Sequence, residues 1–211
     1  MIDYNKIIVD TRNQKDDFVV KSLQSLGYEV ERDTLNFGDV AFDGARHIVV
    51  DLKSSGGGLI ELARNRCSKD HDRMKREIEK CIKYNGEITF LCFEPNINCI
   101  EDIKNWQIPK FKSTAYITRY YEQNTNKPLT KALITKNPNI KYYTKREVLH
   151  RIGEPMTKVK PETLMKSLMT MCEQDHYAKG KKVNLLFTNK EDCGRKIIEI
   201  LTHSQNQSNN T

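Results

Sequence analysis

Residues 47–53, His-Ile-Val-Val-Asp-Leu-Lys, constrain this chain more than any other stretch. In a β-strand alternate side chains leave opposite faces. Ile48, Val50 and Leu52 then share one apolar face that can pack on a helix. Val49, Asp51 and Lys53 share the other, and an ordinary buried strand has no need of an acid and a base side by side. Such a pair is either a solvated ion pair that contributes little, or a group with a chemical task.

The flanking sequence supplies a frame for that strand. Lys6–Asp10 (KIIVD) is a short apolar run ending in an acid, the pattern of a buried strand. Phe18, Val19, Leu23 and Leu26 recur at helical spacing over 15–26, and Gly27 ends that helix. Residues 28–36 read as extended, and Phe37-Gly38-Asp39-Val40 as a turn into a second short strand, with Asp43-Gly44 turning the chain again. The glycines of 54–58 read as a flexible hinge into a helical region over 59–84, followed by a buried strand at 88–93. Helix, strand and helix patterns return at 161–175, 182–188 and 190–202. This alternation predicts an α/β core completed by the chain's own later segment. Residues 1–96 and 156–203 are assigned to that core, 97–155 to an insertion, and the polar stretch 204–211 to a disordered tail.

The insertion is chemically distinct. Between Ile103 and Arg146 ten basic residues face a single acid, Glu122, an excess larger than the net +7 of the whole chain. Lys110, Lys112, Arg119, Lys131, Lys141, Lys145 and Arg146 are interleaved with Trp106, Phe111, Tyr116, Tyr120, Tyr121, Tyr142 and Tyr143. Lysines beside rings fit a nucleic-acid surface, with cations on phosphates and rings on unpaired bases. The competing reading is that these rings fill the insertion's own small core. Six cysteines without a Cys-x-x-Cys pair, and no His-x-x-x-His spacing, argue against a zinc site and read as reduced intracellular thiols. Without a signal-like N-terminus or a membrane-length apolar run, a soluble intracellular protein that does not enter a membrane is expected, in the cytoplasm, nucleoid or nucleus.

Phosphodiester hydrolysis needs an activated water and neutralised phosphate charge, which carboxylate-held Mg²⁺ or Mn²⁺ provides. Asp39, Asp51 and the backbone carbonyl of Leu52 supply such a ligand set if the 37–42 arm pairs beside 47–53. Lys53 would then orient the water and contact the phosphate. The three-residue D-x-K pattern is weak alone, because lysine-rich chains produce it by chance. The Gly38-Asp39 turn, the acid-ended strand at Asp10 and the charged helix downstream strengthen it.

Val9-Asp10-Thr11-Arg12, Gly38-Asp39, Val49-Val50-Asp51-Leu52-Lys53-Ser54-Ser55 and the helical run Arg73–Glu77 together resemble the nuclease domain of the XPF-type structure-specific endonucleases. The family pattern is V-D-x-R-E, G-D, V-E-R-K-S and then a helix bearing Arg and Gln. Residues 90–94 and 181–201 resemble its later strands and last helix. The resemblance implies a restriction-endonuclease-like PD-(D/E)XK fold, a mixed sheet flanked by helices, with magnesium dependence and cleavage of branched or flapped DNA. It also implies Asp39 and Asp51 as metal ligands, Lys53 as catalytic lysine, and Asp10 and Arg73 as supporting residues. Arg12, Glu61 and Glu77 are secondary candidates. Homodimer and heterodimer are both in keeping with the family, as are repair and recombination.

Several positions depart from that pattern. Glu-Arg-Lys is Asp51-Leu52-Lys53, the acid after V-D-x-R is Asn13, and the Gln is Glu77. The acid that follows the lysine is matched by Glu61, three residues late. No stretch reads as the helix-hairpin-helix module that grips DNA in the family, a role the basic insertion is expected to take. A sequence-specific restriction-type endonuclease and an inactive DNA-binding scaffold on the same core are the competing readings, with an RNA-binding protein the weakest.

Overall fold

The computed structural model describes residues 5–13, 16–54, 57–67, 72–110, 155–173 and 183–208. The strands are β1 (Lys6–Asp10), β2 (Glu29–Asp33), β3 (Val40–Phe42), β4 (Ile48–Lys53), β5 (Glu87–Phe93) and β6 (Asn184–Thr188). The α-helices are α1 (Asp17–Ser25), α2 (Gly58–Cys67), α3 (Asp72–Lys83), α4 (Pro161–Glu173) and α5 (Cys193–Ser208). The strands form one mixed sheet in the order β2-β1-β3-β4-β5-β6. β1 runs parallel to β2, β3 is antiparallel to both β1 and β4, and β4, β5 and β6 are mutually parallel. An α/β fold with a mixed central sheet flanked by helices is therefore present, the α/β core as the alternation of the sequence predicts and the mixed sheet as the resemblance implies.

The alternation of β4 decides which layer covers which face. Ile48, Val50 and Leu52 join Ile7, Val9, Val40 and Phe42 in a cluster closed by Val19 and Leu23 of α1 and by Cys193, Ile197, Ile200 and Leu201 of α5. All of these are nearly inaccessible to solvent, and burying an aliphatic side chain of this size contributes about 1.5–3 kcal/mol. Along one edge β4 pairs in register with β5, which sets Asp51 beside Phe90 and Lys53 beside Cys92 on the opposite face of the sheet. There α2 and α3 supply Leu59, Ile60, Leu62, Met74 and Ile78, all buried.

Three boundaries differ from the sequence reading. Residues 97–106 pack with the core rather than with the insertion, because Ile103 and Trp106 are buried and the short 3₁₀ turn Ile100–Asn105 lies against α4. The second compact unit is accordingly 107–158, of which only its two ends are described: Lys110 pairs with Pro155, and the Met156 amide donates to Pro109 O at 2.8 Å. The tail expected to be disordered from 204 is helical through Ser208, since extending a nucleated helix costs far less than starting one.

The glycines after β4 also behave differently from a slack hinge. Gly57 has φ +101°, and Gly58 opens α2 so close to the sheet that a Cβ would lie 2.5 Å from Cys92 Sγ and 2.7 Å from Lys53 O. Glycine is needed there for close approach of α2, which sets the height of the helix over the strand.

Candidate active site

Asp10, Asp39 and Asp51 come from three adjacent strands and meet in one cleft of about 580 Å³. Pairing of β3 with β4 is what aligns the latter two. The Asp39 amide donates to Val50 O at 2.9 Å, and its carbonyl accepts the Asp10 amide at 2.8 Å, so the residue is stitched to both neighbours. Gly38 makes the approach workable. Its φ is +69°, and a Cβ there would fall 2.5 Å from Val49 Cγ2. The Gly-Asp pair read from sequence as a turn is thus a steric requirement of the site.

Asp39 Oδ2 accepts the Leu52 amide at 2.7 Å. Within a strand the N–H and C=O of one residue point to the same edge, so the Leu52 carbonyl also faces the Asp39 side rather than β5. The ladder between β3 and β4 is short, with Val40 opposite Val50, and it leaves this edge of β4 open to the cleft.

Lys53 donates from Nζ to Asp51 Oδ1, and both side chains are almost wholly buried. The ammonium also lies 5.1 Å from the centre of the Phe90 ring. Burial disfavours its charge, but the charge and hydrogen bond of Asp51, aided by Glu61 and Asp39, outweigh that and hold its pKa above the ordinary lysine value. Asp39 responds in the opposite way to its surroundings. Burial first, then the Asp51 charge, push its carboxyl up to about 8, against the pull of the Leu52 hydrogen bond and of Lys53.

Asp10 is committed elsewhere. Its Oδ1 accepts the Arg12 amide at 2.8 Å and Arg12 Nε at 2.7 Å, and its Oδ2 accepts Arg12 Nη2 at 2.6 Å and the Leu35 amide at 2.9 Å. Arg12 Nη2 also donates to Leu35 O at 2.7 Å. Burial would raise the Asp10 carboxyl, but these partners hold it below the usual range. The pair clamps the segment that leads from β2 to Asp39, and both carboxylate oxygens of Asp10 are engaged within the protein.

The cleft walls come from α2 and α3. Glu61, Arg64 and Asn65 lie one helical turn apart on α2, and Arg73 and Glu77 one turn apart on α3. Arg73 is exposed and Glu77 is partly buried, bonded to Lys80 at 2.9 Å. Three lining residues were not singled out in the sequence, Asp16, Arg64 and Asn65, and Ser54 entered only as part of the Val49–Ser55 motif. Ser54 Oγ donates to Asp16 Oδ1 at 2.7 Å, linking the end of β4 to the start of α1. Asn65 follows Glu61 by four on α2, so helical spacing would have found it, and Asp16 stands at the N-cap of α1, where an acid is favoured.

Among the described residues no three His, Cys, Asp or Glu side chains cluster closely enough to hold an ion by themselves. Two carboxylates and a backbone carbonyl do fit a hard divalent cation that keeps several waters. Asp39, Asp51 and Leu52 O are those groups. A buried Asp39 whose ionisation is disfavoured by burial and by the Asp51 charge is also the setting a cation relieves.

Of the cationic residues of the insertion, Lys110 is exposed near the Pro155 pairing. Lys112, Arg119, Lys131, Lys141, Lys145 and Arg146 lie outside the described residues.

Sheet order, helix layers and cleft define an α/β fold with a mixed six-stranded sheet. No protein-family model and no curated protein matches the chain. Among solved structures it is similar to XPF from Aeropyrum pernix, with a TM-score of 0.51 and 13% identity over 95% of this chain. The match spans 65% of that protein's chain. At this identity the likeness concerns the fold. Among the described residues no helix is long and apolar enough to cross a membrane.

Proposed function

We propose that this chain is a metal-dependent endonuclease that hydrolyses phosphodiester bonds in branched, flapped or single-strand-containing DNA. The observation that carries the reading is the convergence of Asp39, Asp51 and the open Leu52 edge in a single cleft, with the buried Lys53 bonded to Asp51 behind it. A Mg²⁺ or Mn²⁺ ion bound there supplies Lewis acidity and a water of lowered pKa. Asp39 and Asp51 hold it through their carboxylates, with Leu52 O as the third protein donor. Lys53 stays protonated beside Asp51 and is therefore a donor to a phosphate oxygen or to the attacking water, not a base. The Asp10–Arg12 clamp keeps Asp39 in place, and Arg64 and Arg73 bring positive charge to the walls, where a phosphate backbone passes. The preference for junction-containing substrates rests on the resemblance of the sequence motifs to the XPF-type nucleases. The basic unit 107–158 takes the role of gripping DNA, and a homodimer or heterodimer would align two such grips.

The test is cleavage of end-labelled duplex, flap, fork and single-stranded DNA by wild type and Asp51→Ala, in Mg²⁺, Mn²⁺ or EDTA. Metal-dependent cutting that disappears in the variant is the expected result. Sequence-dependent fragments from plain duplex would indicate a restriction-type enzyme instead. Tight binding with no cutting under any condition would leave a scaffold that retains only the fold.

A further inference from the structure

Asn65 lies on α2 and contributes to the cleft wall, yet it is 95% buried and its Nδ2 meets no hydrogen-bond acceptor among the described residues. A buried amide donor without a partner is costly, and an apolar side chain of the same size would serve packing better. The cost is recovered if an acceptor arrives from outside. The terminal torsion of an asparagine is soft, so rotation can present Nδ2 to the cleft that the residue lines. The chemistry of the surroundings selects the acceptor: Arg64 precedes it on the helix, and Arg73 stands on the neighbouring wall. Both cations favour an anionic oxygen over a neutral base edge.

We propose that the Asn65 carboxamide is a DNA-phosphate ligand, donating from Nδ2 to a non-bridging oxygen of the phosphate next to the scissile one. The proposal rests on the nuclease reading and deepens it. Glu61 faces Lys53 electrostatically, and Asn65 lies one turn further along α2. The contact therefore falls beside the reacting phosphate and positions the strand.

The experiment pairs stability with binding for wild type, Asn65→Leu, Asn65→Ala and Asn65→Gln. Thermal unfolding is measured in EDTA, together with anisotropy of a labelled flap duplex in EDTA and single-turnover cleavage in Mg²⁺. Removing an unmet donor should leave the unfolding temperature of the Leu or Ala variant unchanged or raised. DNA affinity should fall by roughly ten- to a hundredfold, the scale of one hydrogen bond to a charged group, and Gln should restore part of it. Flap duplexes carrying one neutral methylphosphonate at a time should include a position at which wild type and Asn65→Leu bind equally.

Loss of stability in both the Leu and Ala variants would make Asn65 a structural group and overturn the proposal. Unchanged DNA binding by the Asn65→Leu and Asn65→Ala variants, where the wild type cuts, would overturn it while leaving the nuclease reading intact. A defect that follows base sequence rather than phosphate charge would overturn it in favour of base contact. A wild type that neither binds nor cuts DNA would overturn both.

Discussion

Asp39 Oδ2 takes the amide hydrogen of Leu52 at 2.7 Å, across a sequence separation of thirteen residues. The same bond orients the carboxylate and turns the Leu52 carbonyl towards it, so two of the three candidate metal donors are fixed by one contact. Any change that moves Asp39 disturbs both.

Gly38→Ala is the gentlest such change, and it should be severe. The left-handed backbone and the overlap with Val49 together cost about 2–4 kcal/mol. The expected outcome is a lowered unfolding temperature and loss of the Mg²⁺-induced stabilisation, both read by thermal denaturation with and without the ion.

Asp39→Asn should behave differently, because Asn still accepts the Leu52 amide. The folded-state pKa of Asp39, about 8, lies above its ordinary value of 3.8, so folding favours the protonated acid. That favourable contribution is complete at low pH and is lost as pH rises through about 8. In EDTA at pH 8–9 the variant should therefore unfold about 2–4 °C higher than wild type, the effect of roughly 1 kcal/mol in a domain this size. Added Mg²⁺ should raise the wild type but not the variant. Equal pH profiles for the two proteins would contradict the assignment.

Lys53→Met leaves Asp51 buried without its partner and should cost about 3–5 kcal/mol in EDTA. Asp51→Leu combined with Lys53→Met should recover most of that stability, since the apolar pair needs no charge compensation. Neither variant should cut DNA. A double variant as unstable as the single one would show that the pair is not the source of the loss.

Arg12→Ala removes the main partner of Asp10. Arg12 is itself largely exposed and water screens it, so a loss of about 1–2 kcal/mol is expected. The sign with pH is opposite to that of Asp39. Asp10 is held below its usual pKa, so its contribution is present above about pH 4 and fades as pH falls through the folded-state value. The acid-unfolding midpoint of Arg12→Ala should therefore move to higher pH, and circular dichroism across an acid titration reads it.

The parts of this molecule that follow local rules were legible in its sequence. The period-two pattern of 47–53 placed Ile48, Val50 and Leu52 on the α1/α5 face and Asp51 and Lys53 on the other. Gly38-Asp39 announced a turn, and the turn is where the second acid enters. What the sequence concealed depends on tertiary distance. Nothing near Asp10 in the sequence shows that its second oxygen is taken by the Leu35 amide, twenty-five residues away. Asn65 reads as an ordinary helical polar residue until α2 is laid over β4. Gly58 reads as slack until Cys92 is known to lie beneath it. The basic stretch was visible as charge, but charge alone carries no geometry.

The apolar back of β4 is closed by α5, whose Ile197 and Leu201 arrive long after the strand itself has left the ribosome. Until then the acidic and basic side chains of β4 stand on a strand with one uncovered oily side, which has no reason to hold its register. Assembly of the cleft is thereby deferred until α5 has been made. An interrupted chain, released early, would carry the sequence of the site without its rigidity.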